Sequence, residues 1–463
     1  MKEVNPYYFI LILILGGLVS YLILSSQYTI LFLIFLIMLF FIMIIVDFRF
    51  LVYYYMLFGA LTDPGLAKLW GISVNWLRNT FLVGLYSLYL IFFLKRFNVY
   101  KKDENFKIFI YGVIPFLLYI STTIFWSVSP VDSLRYIPKY ILSILLSLIV
   151  LFDEQLDVKK SIKFIFYGAF IFIITSILAE YLSYKGISGR ASEYFEGFSG
   201  RHQSKFYVVF IIVFFLSGLI TRYFKRSFIT LLGIAISFII LILILQRGAF
   251  LALTLSFVFV SIYMIRRFSV GSAVLSLILI VGFSIAIYIL FKRPEFQEYT
   301  LVSQRYGLED FLNFISRGDF QSAINIIAFK GRLEMWEASL EMFKNKLFGQ
   351  GLATTAVEME EVVGQYLELH NDFLQFLIEG GYVGFILYVI MWYNLFRLSW
   401  RFRKTTDKTL KFLALTIGAY TAGLFGWSFF DHNLNYANMN LSFLFILISL
   451  LIKRDFELRN AKK

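Results

Sequence analysis

The sequence contains no cysteine. Disulfides, thiolate metal sites and a cysteine nucleophile are therefore excluded. Charge is scarce, with Asp, Glu, Lys and Arg making up 16% of 463 residues, and histidine occurs only at 202, 370 and 432. The rest is largely apolar: 59% hydrophobic, 20% aromatic, mean hydropathy +0.76. That exceeds what one soluble core needs, so a soluble enzyme is excluded. A membrane-spanning helix takes roughly 20 mostly apolar residues, and about 300 residues of such segments imply a dozen or more spans. Runs such as Phe228 to Leu245 and Val270 to Phe291 are apolar on every side. The strands of a β-barrel would instead alternate apolar with polar residues. The expected fold is all-α, a polytopic integral membrane protein of about 12–14 transmembrane helices.

The apolar runs fall near 8–26, 29–46, 50–62, 78–94, 108–125, 137–152, 162–183, 206–221, 228–245, 248–265, 269–291, 372–396, 410–429 and 437–452. The first runs into the second with no small-residue cleavage site, so it reads as a retained span and not a signal peptide. The third is short and polar at its end. Read as a re-entrant or surface helix, it leaves thirteen spans and an outside N-terminus; read as a span, it gives fourteen with both termini in the cytoplasm. The connectors Lys95 to Lys107, Lys159 to Lys163, Arg222 to Arg226, Arg266 to Arg267 and Arg397 to Lys411, and the tail from Lys453, are short and basic and share one side, which the positive-inside rule makes cytoplasmic. With Lys2 and Arg49 they hold 26 of the 43 Lys and Arg, leaving 17 for the other face. The net charge of +13 is thus largely an orientation signal, and nucleic acid as a partner loses its support.

The outer face carries one large connector, 292–371, long enough to be folded or functional. Asp319 is placed to cap a short helix through Phe329, and Leu333, Trp336, Leu340 and Phe343 recur at helical spacing within Arg332 to Lys344. Asn345-Lys346-Leu347-Phe348-Gly349-Gln350-Gly351 reads as a glycine-terminated stop. The expected organisation is an N-terminal transmembrane bundle over 1–291, a helical cap over 292–371, and C-terminal transmembrane helices with a short tail over 372–463. No 20- to 50-residue repeat and no low-complexity tract is present.

Three outer-face residues stand out. Arg247, in Leu245-Gln246-Arg247-Gly248-Ala249, sits between two apolar runs so close that the turn is buried or interfacial; the plainer alternative is an arginine snorkelling to lipid phosphates. Arg332, in Gly331-Arg332-Leu333-Glu334, opens the amphipathic helix of the loop, where exposed amides and a guanidinium together favour a phosphate; the alternative is a solvated residue paired with Glu334 or Glu337. His370, in Leu369-His370-Asn371-Asp372, stands where the chain re-enters the membrane and is the side chain best suited to take a proton near neutral pH, although a lone histidine is more often structural. No HxxH or HExxH pattern is present, the loop acids Asp63 and Asp132 are separate, and Glu309-Asp310 and Glu360-Glu361 read as a solvated face. A metal-independent site with no cofactor is expected. Walker, GxSxG and GxGxxG patterns are not evident, so ATP-driven transport and serine hydrolysis lack support.

The three elements, in this order and topology, resemble the O-antigen ligase and polymerase superfamily of bacterial envelope glycosyltransferases. The resemblance covers about the C-terminal two-thirds. It rests on Gln246-Arg247-Gly248-Ala249, on Gly331-Arg332-Leu333-Glu334-Met335-Trp336 followed by Leu347-Phe348-Gly349-Gln350-Gly351, and on His370-Asn371-Asp372-Phe373-Leu374-Gln375 leading to Glu379-Gly380-Gly381-Tyr382-Val383-Gly384. It implies a GT-C-type fold in the bacterial inner membrane. It also implies transfer of glycan from undecaprenyl pyrophosphate to an acceptor hydroxyl on the periplasmic face. Arg247 and Arg332 are then expected to hold the pyrophosphate and His370 to activate the acceptor. Arg201, in Gly200-Arg201-His202-Gln203, is a further phosphate contact on the same analogy, although the proline-asparagine pair that family members carry there is missing. Fixed guanidiniums stabilise the charge that develops on the departing pyrophosphate without a metal, and attack from the opposite face of the sugar inverts its configuration.

The leading expectation is a ligase acting on a lipid A-core sugar. The alternative is a polymerase with the same donor and a second lipid-linked repeat unit as acceptor, and motifs do not separate the two. A protein-acceptor oligosaccharyltransferase is weakened by the short tail after Lys453. A polysaccharide flippase would require charge within the spans, which are nearly free of it.

Overall fold

The long apolar runs form helices in a computed structural model of the chain. The described residues are 49–59, 68–69, 72–184, 204–225, 227–244, 247–265, 317–319, 332–341, 343, 345–355, 357, 369–429 and 437–461. In chain order they comprise α1 (Arg49–Phe58), a hairpin of β1 (Lys68–Leu69) and β2 (Ile72–Ser73), then α2 (Val74–Ile91), α3 (Leu94–Tyr100), α4 (Glu104–Thr122), α5 (Pro130–Phe152), α6 (Val158–Tyr184), α7 (Ser204–Ile220), α8 (Ser227–Ile244) and α9 (Arg247–Ile265). They end with α10 (Arg332–Glu341), α11 (Asp372–Arg401), α12 (Lys408–Trp427) and α13 (Ala437–Asn460). The chain is a helical, polytopic membrane protein. Five described helices are long and apolar enough to cross a bilayer, and α2 with α3, bent by 70°, makes a sixth if counted as one span. The expected runs 8–26, 29–46 and 269–291 lie outside the described residues, as does the helix expected from Asp319 to Phe329.

The chain divides into two units. In the unit formed by Met1–Arg78 and Glu154–Ser204, α1 lies on α6. Tyr53 stacks on Phe164 with ring centroids 4.4 Å apart, and Gly168 admits the α1 backbone, since a Cβ there would stand 2.6 Å from the Met56 carbonyl oxygen.

In the unit formed by Asn79–Asp153 and Lys205–Lys463, α12 is the most enclosed of the long helices. Its comparatively low hydropathy suits a helix solvated by protein instead of lipid. Small residues bring α9 and α12 together: a Cβ on Gly418 would meet Phe259 at 2.3 Å and one on Gly423 would meet Ser256 Oγ at 2.5 Å. On the α4 and α11 contact, Gly112 lies under Asn394 and Phe116 meets Phe376 edge to face at 5.1 Å. Ser143 of α5 and Ser442 of α13 share a hydrogen bond of 2.9 Å.

The connectors around 103–104 and 401–407 and the C-terminal tail meet at one end of this unit, and three cations of α13 each close a particular helix end. Lys453 Nζ donates to the Val150 and Asp153 carbonyls at the C-terminus of α5. Arg454 donates to Asp407 Oδ2 at 2.9 Å, while Oδ1 of the same carboxylate caps α12 through Leu410 N–H. Arg459 donates to Asp103 Oδ2, while Oδ1 of that carboxylate caps α4 through Phe106 N–H. Arg401 pairs with Glu104 at 2.5 Å. Burial raises the Asp407 carboxyl, but the hydrogen bond and charge of Arg454 outweigh it and leave the group below its ordinary value.

Candidate functional site at the opposite end of the bundle

Three chain segments meet at the start of α11. Asn371 caps that helix, its side chain accepting from Leu374 N–H at 3.0 Å. His370, half-buried, precedes the cap with φ +49°, a left-handed conformation that costs a non-glycine residue about 1–3 kcal/mol and persists only where its surroundings impose it. Both of its neighbours are fixed. The Leu369 side chain is buried against Ile378, with Phe343 and Leu374 beside it, and the Leu369 carbonyl accepts from the Trp336 indole Nε1 at 2.9 Å. Asp372 N–H donates to the Ser428 carbonyl at 2.8 Å, and the buried Tyr388 hydroxyl sits 2.8 Å from Ser428 Oγ and donates to Asp372 Oδ2 at 3.4 Å.

A second feature lies two turns further on. α11 breaks at Gly381 (φ 64°, ψ −168°), which frees backbone groups that a spanning helix would normally pair internally. The segment Lys346–Gly351 takes them up. Gln350 and Gly351 N–H donate to the Ile378 and Glu379 carbonyls at 3.0 and 2.9 Å, and Tyr382 and Val383 N–H donate to the Lys346 and Leu347 carbonyls at 2.9 and 3.2 Å. The approach requires glycine: a Cβ on Gly349 would stand 2.3 Å from the Glu379 carbonyl oxygen, and one on Gly381 2.4 Å from Gly349 N, with both residues at positive φ. The Tyr119 hydroxyl of α4 lies 2.9 Å from the Phe348 and the Gly380 carbonyl oxygens. Ser127 and Ser133 donate to the Leu352 carbonyl, and Leu352 N–H donates to Thr123 Oγ1 at 2.9 Å. The expected glycine-terminated stop is thus also the partner that completes a broken helix.

Glu379, fully buried at the break, receives Thr355 Oγ1–H at 2.5 Å, Thr355 N–H at 3.3 Å and Gln375 Nε2 at 3.1 Å. A buried carboxyl is costly unless its oxygens are filled, and here they are. Sequence reading did not single it out. The signal was one acid between Leu377-Ile378 and Gly380-Gly381, inside an otherwise apolar run.

The elements bearing the expected site residues converge on this end. Arg247 is the first residue of α9, and the adjacent Gly248 lies where a Cβ would meet Trp427 Nε1 at 2.4 Å, one residue before the Ser428 that holds Asp372. Arg332 is the first residue of α10, one helical turn before the Trp336 that holds Leu369. The Arg247 and Arg332 side chains lie outside the described residues, as do Arg201, His202, His432, Asp63, Glu309, Asp310, Glu360 and Glu361. Asp132 is occupied locally, accepting from Ser129 Oγ at 2.7 Å and pairing with Arg135 at 2.6 Å.

The class defined by this arrangement is a polytopic helical membrane protein whose broken re-entry helix and two arginine-led helices meet at one end of the bundle. Residues 232–389 match the family model described as O-Antigen ligase. The match spans Arg247, Arg332, His370, Glu379 and the Lys346–Gly351 segment, and leaves out Arg201. No curated protein matches the chain.

Proposed function

We propose that the protein is an inner-membrane glycosyltransferase that moves a glycan from undecaprenyl pyrophosphate to a lipid A-core sugar hydroxyl on the periplasmic face. His370 takes the proton of the acceptor hydroxyl as its oxygen bonds to the anomeric carbon. The bond from that carbon to phosphate breaks, the electron pair leaves with the pyrophosphate, and Arg247 and Arg332 stabilise the charge. No metal is needed for this step, and attack opposite the leaving group inverts the sugar. The observation that carries the reading is that α9, which bears Arg247, and α10, which bears Arg332, both reach residues flanking the left-handed turn at His370, all within residues 232–389 that match the family model. A left-handed histidine fixed on both sides suits a base whose orientation matters more than its local comfort.

The test is a transfer assay with purified protein and the lipid extract of source cells lacking it, with or without lipopolysaccharide lacking its outer glycan. Glycan joined to the lipopolysaccharide, and lost in His370→Ala at normal protein levels, is the expected result. Long chains formed without that acceptor would mark a polymerase, and full transfer by His370→Ala would remove the histidine from the mechanism.

A further inference from the structure

We infer that Trp336 is a positioning residue for the transfer reaction, coupling the start of α10, where Arg332 stands, to the backbone of the turn that carries His370. The inference rests on the reading of His370 and Arg332 given above. Its physical basis is a single directed contact: the indole Nε1–H donates at 2.9 Å to the carbonyl of Leu369, the residue immediately before the left-handed His370. The peptide unit between Leu369 and His370 is planar, so holding its carbonyl oxygen also holds the His370 nitrogen from which the left-handed turn departs. The Leu369 side chain cannot follow a displaced carbonyl, because it is buried against Ile378, with Phe343 and Leu374 packed beside it. On the other side, Asp372 N–H is held by Ser428. The turn therefore has two anchors, and Trp336 supplies the one that comes from the large loop.

The anchor also links two jobs. Arg332 and Trp336 are four residues apart, about 6 Å along the axis, so a rigid α10 carries the position of one to the other. A donor pyrophosphate gripped at the first residue of α10 would then be held in register with a base fixed through the fifth. In the hydrogen-bond geometry the ring nitrogen is the part that matters. Phenylalanine keeps an aromatic ring in the half-buried position and deletes the donor.

The experiment compares wild-type protein, Trp336→Phe, His370→Ala and the control Leu340→Ala, which changes a half-exposed residue of the same helix. Donor is supplied as the lipid extract of cells lacking the protein, and kcat and donor KM are measured separately. Trp336→Phe is expected to lower kcat about 3- to 10-fold, the worth of one amide-type hydrogen bond, with donor KM within about twofold of wild type and thermal unfolding lowered by no more than about 1–2 °C. Leu340→Ala should leave both constants unchanged. An unchanged kcat in Trp336→Phe overturns the inference. So does a fall in kcat accompanied by an equal loss of stability and a raised donor KM, because that pattern reports a loosened helix and not a misdirected base. If His370→Ala keeps the wild-type rate, it is the underlying functional reading that fails, whatever Trp336→Phe does.

Discussion

The two ends of the larger unit are built on opposite principles. At the basic end, charged side chains meet charged side chains or close helix ends, and each of Asp103 and Asp407 divides its two oxygens between a helix cap and an arginine of α13. At the other end the chain bends, with positive φ at Gly349, Gly351, Ala353, His370 and Gly381, and polar side chains are spent mainly on backbone groups: Trp336 on Leu369, Tyr119 on Phe348 and Gly380, Ser127 and Ser133 on Leu352. One end uses its polar groups to tie helices together. The other uses them to hold an irregular backbone in place, which is what a site requires when a side chain must be aimed.

Variants at the two ends should therefore fail differently. The largest effect is expected from charge reversal at Arg247 or Arg332, which should abolish glycan transfer while leaving membrane insertion unchanged; an active Arg247→Glu protein would point to lipid snorkelling instead. His370→Ala should lower transfer by about 10²- to 10⁴-fold at normal expression, read in the same assay. Gly381→Ala should cost at least ~1–2 kcal/mol from its left-handed backbone alone, plus the clash with Gly349, so thermal unfolding in detergent and transfer should fall together. At the basic end, Arg454→Ala should cost only about 1 kcal/mol, because its partner is partly exposed, and should leave kcat untouched; a kcat effect there would erase the distinction between the ends. The smallest effect is one of pH. Asp407 is held below its ordinary value, so its contribution to stability is present above the unfolded value and is lost as pH falls through the lowered one. Burial holds Asp455 above its ordinary value, which gives the opposite sign, so the net acid loss should be small and should shrink further in Asp407→Asn.

The sequence made the helices legible because a bilayer demands long apolar runs: the expected 108–125, 137–152 and 410–429 correspond to α4, α5 and α12. It also placed Arg247 and Arg332 in helices, and α9 and α10 contain them, since the cues are local. The break at Gly381 and its completion by Lys346–Gly351 were not legible, because the pairing joins backbone groups some thirty residues apart and leaves no periodicity. Glu379 escaped notice for a related reason: its partner Thr355 becomes a neighbour only once the loop has docked, although Gln375 lies one helical turn away on the same helix. At the basic end the positive-inside rule counted Lys453, Arg454 and Arg459 as interchangeable charges, whereas each has its own acceptor.

The dependence of α11 on a distant segment has a consequence for biogenesis. A ribosome releases residues 346–351 before residues 372–401, so the donors and acceptors that finish the helix already exist when the helix emerges. The helix cannot complete its own hydrogen bonding at Gly381, and each backbone group left bare in hydrocarbon costs several kcal/mol. Completion of this span is thereby conditional on the docking of residues 346–351 at the break. A lesion in that loop, far from any apolar run, would register in the cell as a failure of membrane integration.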